Sequence, residues 1–237
     1  MKKLLIALLA VLMLTACTSQ KQEEITVEPQ EPIEELAGGW TINTDLLEMN
    51  DAIFDEARKG IDGANYSPLF LIGSQPVAGQ NLMYLAYVKP VVPNAKPEFK
   101  AITVFNSIEE NTNKITSVAD FNIADYLEGA GNTTPEGLMG GWQDASELPN
   151  MLSAEENEVF NKALDGLLGV SYTPVATLAT QVVAGTNYAF LALGTSVTAQ
   201  PITHLYVINV YADLQGNATI NNICGIDLSK LQNEKGI

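Results

Sequence analysis

Hydrophobic and polar positions change rhythm several times along the chain. Met1-Lys2-Lys3 is basic, Leu4 to Leu14 is an unbroken apolar run of eleven residues, and residues 18–37 carry almost no periodic pattern. Helical spacing follows: Leu46, Ile53, Phe54, Ala57 and Ile61 fall on one face, which predicts an amphipathic helix. Beyond it, Leu82 to Val88 and Phe99 to Ile108 read as strands. The same succession then recurs. Val159, Phe160, Ala163, Leu164 and Leu167 share a helical face behind Ser153 and Glu156, a capping-box pair. Alternation with period two comes next, in Tyr188, Phe190 and Ala192 and later in Leu205, Val207, Asn209 and Tyr211, with Leu214-Gln215-Gly216-Asn217 as a turn between strands. Each half is therefore expected to be α+β, one helix packed across an antiparallel sheet of about four strands.

The recurrence is a duplication. An offset of 106 residues aligns Phe54 with Phe160, Ala57 with Ala163, Gly60 with Gly166, Gly63 with Gly169, Tyr66 with Tyr172 and Pro68 with Pro174. It also aligns Gln75 with Gln181, Val77 with Val183, Ala78 with Ala184, Gly79 with Gly185 and Asn81 with Asn187. These eleven identities fall in 28 gapless positions, where composition alone gives about two. Gly38-Gly39-Trp40 and Gly140-Gly141-Trp142 open the two copies, and the stretch Gly129 to Pro135 reads as a linker. The expected boundaries are 38–128 and 140–237, joined by 129–139.

The apolar run changes the picture of the N-terminus. Eleven residues are too few to cross a bilayer as a helix, which takes about 20, so residues 1–16 read as a signal peptide. Leu14-Thr15-Ala16-Cys17 resembles the bacterial lipobox, which implies cleavage before Cys17, acylation of that residue and an extracytoplasmic, lipid-anchored protein in the cell envelope. An unprocessed membrane anchor or a plain secretory signal is the alternative. Residues 18–37 hold six glutamates, one lysine and two prolines, so 17–37 is expected to be an acidic, flexible tether.

Charge and composition exclude whole classes of function. The chain has 28 acidic and 12 basic side chains, for a formal charge of −16, and removing Lys2 and Lys3 takes it to −18. No basic face is left to neutralise nucleic-acid phosphates. One histidine and two cysteines leave little for a histidine-based metal site or a Cys/His pair. With Cys17 acylated, Cys224 is the one cysteine left and has no second cysteine for an intrachain disulfide. No cofactor, metal or catalytic residue is expected, and the chain does not read as an enzyme.

Gln181-Val182-Val183-Ala184-Gly185-Thr186-Asn187-Tyr188 resembles the QxVxG signature of the cystatin family, with the Asn-Tyr that often follows it, and the first copy carries the variant Gln75-Pro76-Val77-Ala78-Gly79-Gln80-Asn81. In both copies the motif follows a predicted helix and strand, where cystatins have their first hairpin loop. The resemblance covers most of residues 38–237 and implies two tandem cystatin-like domains. It further implies a wedge that occludes the cleft of a papain-like cysteine protease. Gln181, Val182, Val183, Ala184 and Gly185, with Gly140 and Gly141 as trunk and Gln75, Val77 and Gly79 in the first copy, are then the protease-binding residues. Small residues let backbone enter a narrow slot, and a rigid hairpin loses little entropy on docking.

Two departures weigh against inhibition. Cystatins usually carry an apolar Pro-Trp pair in the second hairpin, whereas Leu214-Gln215-Gly216-Asn217 and Glu109 to Lys114 are polar. Pro76 also removes a backbone donor from the first copy's motif. The alternative reading is a non-inhibitory envelope adaptor or sensor that uses the fold as a binding scaffold. A third is an enzyme or small-ligand binder with a polar pocket in the sheet's concavity around Tyr188, Tyr206 or His204. His204 and Cys224 are expected on opposite faces of the sheet, since a Gln215-Gly216 turn sets Leu214 opposite Asn217 and His204 opposite Asp227.

Overall fold

The computed structural model of the chain describes residues 39–46, 51–127, 141–144 and 152–232. The signal segment 1–16, Cys17, the tether 17–37, the linker 129–139 and Gly140 lie outside the described residues.

Among the described residues the first copy forms β1 (Thr41–Ile42), α1 (Asp51–Ala57), β2 (Ala64–Val77), β3 (Gly79–Pro90), β4 (Glu98–Ser107), β5 (Thr112–Asp120) and a 3-10 turn, Ile123–Tyr126. The second copy forms β6 (Trp142–Asp144), α2 (Ala154–Ala163), β7 (Val170–Val183), β8 (Gly185–Ser196), β9 (Thr203–Ala212), β10 (Ala218–Gly225) and the turn Leu228–Lys230. Each copy contributes one antiparallel sheet, ordered β1-β2-β3-β4-β5 and β10-β9-β8-β7-β6.

Side-chain alternation assigns the two faces of each sheet. Leu82, Tyr84 and Ala86 of β3 point to the side where Phe54 and Ala57 of α1 lie; in β8, Phe190 and Ala192 meet Phe160 of α2. Equivalent aromatic pairs mark the two contacts, Phe54 with Tyr84 at 5.0 Å and Phe160 with Phe190 at 5.4 Å between ring centres. The opposite faces are apolar too. Met83, Leu85, Phe99 and Ala101 of the first sheet share one buried cluster with Leu178, Leu191, Leu205 and Val207 of the second. The layers therefore run helix, sheet, sheet, helix, and the central strands are covered on both sides, as their continuous apolar runs require.

The expected class, an α+β pair of cystatin-like domains with one helix across about four strands in each, does not hold. The described residues are mostly β, with two five-stranded sheets and helices of seven and ten residues. The physical reason is twofold. Short strands β1 and β6 add a fifth member to each sheet through Thr41↔Ser74 and Trp142↔Gln181, in segments read as trunk. One helix covers one face of a sheet, while the other face is equally apolar and is covered by the sheet of the other copy.

The duplication extends to irregularities. Register shifts at Pro68/Phe70 and Leu71/Gly73 in β2 recur at Pro174/Ala176 and Thr177/Ala179 in β7. Past the second hairpin the offset drops to 105: Thr116 and Asn221 are the extra residues of equivalent bulges. Asn122 and Asp227 likewise cap equivalent 3-10 turns by accepting from Ala124 N and Ser229 N. Each turn then reaches the other copy. Asn222 Nδ2 donates to the Tyr126 carbonyl at 3.0 Å, and Leu228 packs into the space over Gly73 of β2. Among the described residues no helix is long and apolar enough to cross a membrane.

Candidate functional site

The sequence-predicted residues of the second copy meet at one end of its sheet. β7 and β8 form a hairpin so tight that Val183 pairs with Gly185 and Ala184 alone makes the turn. Gln181 and Asn187 face each other across it, and Asn187 Nδ2 donates to Gln181 Oε1 at 2.7 Å. The amide ends of the motif thus serve as a cross-strand clasp. Gly185 has φ 132°, a conformation side chains rarely adopt, and is buried. A Cβ there would collide with the Ala212 carbonyl oxygen and lie 2.9 Å from the Tyr211 ring. Above the same ring, the Tyr211 hydroxyl donates to the Ala184 carbonyl at 2.5 Å. Val182 and Val183 remain 80% and 47% exposed.

Strand pairing sets two further segments beside this tip. Trp142 pairs with Gln181, so Gly141 enters next to Val182. On the other flank Thr186 pairs with Ala212, which brings the β9–β10 tip, residues 213–217, alongside. Asp213 organises that tip by accepting from Gln215 N at 2.9 Å, Asn217 N at 2.8 Å and Asn217 Nδ2 at 2.7 Å. The Asn217 side chain first, and the backbone donors after it, hold the Asp213 carboxyl below its ordinary pKa. Lys162 Nζ of α2 reaches the Gly216 carbonyl at 3.4 Å. Leu214 is 78% exposed.

The first copy repeats this arrangement with differences. Asn81 Nδ2 donates to Gln75 Oε1 at 2.8 Å, and Gly79, φ 127°, packs on the Phe105 ring as Gly185 does on Tyr211. Val77 is partly exposed, and Ile108 stands out from the neighbouring tip. Asn106 Nδ2 donates to Asn113 Oδ1 at 2.8 Å, and Asn113 Nδ2 donates to Glu56 Oε2 of α1 at 3.0 Å. Pro76 pairs with Gln80 and offers no N–H.

Gln181, Val182, Val183, Ala184, Gly185 and Gly141 are therefore together, Gln75, Val77 and Gly79 occupy the matching place on the other sheet, and Cys17 and Gly140 lie outside the described residues. Sequence reasoning missed Tyr211 as the residue beneath the tip; the signal was its cross-strand position opposite Asn187. Trp40 and Trp142 pack against the cluster between the sheets. His204 lies on the α2 side of its sheet beside Tyr206, with rings 6.4 Å apart. Cys224 pairs with Val207, an inter-sheet residue, so the two are on opposite faces. Burial above all, and Cys224 nearby after it, push the Tyr126 hydroxyl up to about 12. Among the described residues no group of three or more His, Cys, Asp and Glu is arranged to hold a metal ion.

This end of the sheet can present three backbone segments and the apolar side chains Val182, Val183 and Leu214 to a partner. Two of the segments are held by side-chain hydrogen bonds before any partner arrives. Comparison of the chain with protein-family models, curated proteins and solved structures finds no match.

Proposed function

We propose that the chain is an extracytoplasmic protein, lipid-anchored at Cys17, that binds a protein non-covalently through the tip end of its second copy. In this reading the partner is a papain-like cysteine protease whose cleft receives residues 181–185, flanked by Gly141 and residues 213–217. The supporting observation is the alignment of these three segments along one sheet end, with Val182, Val183 and Leu214 left exposed. The small turn residue Ala184 lets the backbone approach a narrow slot, and the held loops lose little freedom on docking. No bond is made or broken, so no acid, base or metal acts.

The test is a titration of papain with the full chain purified in detergent. The reading expects stoichiometric loss of protease activity at micromolar protein. It also expects the loss to weaken at least tenfold in Val183→Glu, because a carboxylate at the tip would have to be desolvated. Full protease activity at micromolar protein overturns it.

A further inference from the structure

The two copies differ at one residue beneath the tip, and the difference points to a division of labour. Resting on the reading above, we propose that Tyr211 is a positioning residue that makes the second copy's tip the binding tip and leaves the first copy's tip without that role.

The comparison is internal to one chain. Gly79 and Gly185 have nearly the same φ, at 127° and 132°, and each has an aromatic ring where its Cβ would be, Phe105 in one copy and Tyr211 in the other. Packing under the turn is thus common to both. The hydroxyl is not: Tyr211 donates to the Ala184 carbonyl at 2.5 Å, while Phe105 has nothing to donate to Ala78. That bond fixes the peptide plane between Ala184 and Gly185, the single turn of the hairpin, from the sheet side, and leaves the outer side of the turn for a partner. Asn187 is also held twice, by Gln181 and by Asn221 Nδ2 at 3.3 Å.

The first copy lacks a second element as well. Val182 retains the N–H that Pro76 has lost at the equivalent position, facing Gln80 where Val182 faces Thr186. A tip whose turn is held binds with less ordering cost, and the gain appears in the dissociation rate. One net hydrogen bond corresponds to a factor of about five to ten.

The experiment compares the full chain, Tyr211→Phe, Phe105→Tyr and the double exchange. Three readouts are taken: binding kinetics to carboxymethylated papain, native mass of the complex, and amide hydrogen exchange of the unbound chain. One papain per chain is expected. Tyr211→Phe should dissociate about five to ten times faster with an on-rate within about twofold and a melting temperature lowered by no more than about 2–4 °C, and should exchange faster at Gly185 and Thr186. Phe105→Tyr should slow exchange at Gly79 and Gln80. Two papains per wild-type chain, or a dissociation rate and tip exchange unmoved in Tyr211→Phe, overturn the proposal. If the wild-type chain binds no papain, the functional reading falls and the division of labour with it. The exchange data then decide separately whether Tyr211 holds the tip.

Discussion

Tyr172 shows how one side chain reports on its surroundings. Its ring packs edge-on against Tyr206 at 5.4 Å, and both rings fill the space that a side chain at position 194 would take, since Gly194 has none. The hydroxyl is buried with no hydrogen-bond partner among the described residues, and burial pushes its pKa from near 10 up to about 12. A raised value favours the neutral form in the folded chain. The stabilising contribution is therefore complete below pH 10, where the unfolded tyrosine is also neutral, and is lost as pH rises through 10 toward 12. Tyr172→Phe removes both the titration and the unpaired oxygen. Urea unfolding should find it equal to the parent, or up to about 1 kcal/mol more stable, at pH 7. It should also fall less steeply between pH 10 and 12; parallel pH dependence in the two proteins would contradict this account.

At the scale of the element, the β7–β8 hairpin depends on Gly185. Its φ and the collision awaiting any Cβ predict that Gly185→Ala costs about 1–3 kcal/mol in urea unfolding; an unchanged midpoint would mean that the turn is not strained as described. Elements were partly legible from the chain: QxVxG falls at the tip of this hairpin, and at the start of α2 Ser153 and Glu156 form the capping box read from their spacing, at 3.2 and 2.8 Å. Register was legible for an instructive reason. A two-residue Gln215-Gly216 turn would set Leu214 opposite Asn217, and Gly225 does face Tyr206 as that register requires. The tip itself is longer, with Ala212 opposite Ala218, and the bulge residue Asn221 restores the count. Bulges of this kind carry no mark in a single sequence, although here each occurs twice. The short strands β1 and β6 were hidden too, because two or three residues beside a glycine pair carry no period.

The described residues form one folding unit built from two similar halves. Each sheet has two apolar faces, and one helix covers only one of them, so the inner faces must meet; this was the step that alternation within one copy did not disclose. Leu191 is fully buried in the shared cluster, beside residues of both copies. Leu191→Ala should cost about 2–5 kcal/mol and lower the stability of both halves in a single transition, read by amide exchange at β3 and β8 together. Two separate transitions, with β3 unaffected, would contradict a shared core. The proposed binding depends on where three segments end at one end of the second sheet. The measurement that reaches it most directly is a hydrogen-exchange footprint of the full chain with carboxymethylated papain. Protection gained at residues 141–143, 181–186 and 213–217, with the matching tip of the first sheet unchanged, is the predicted result. Protection confined to any other surface, or none at saturating papain, would contradict it.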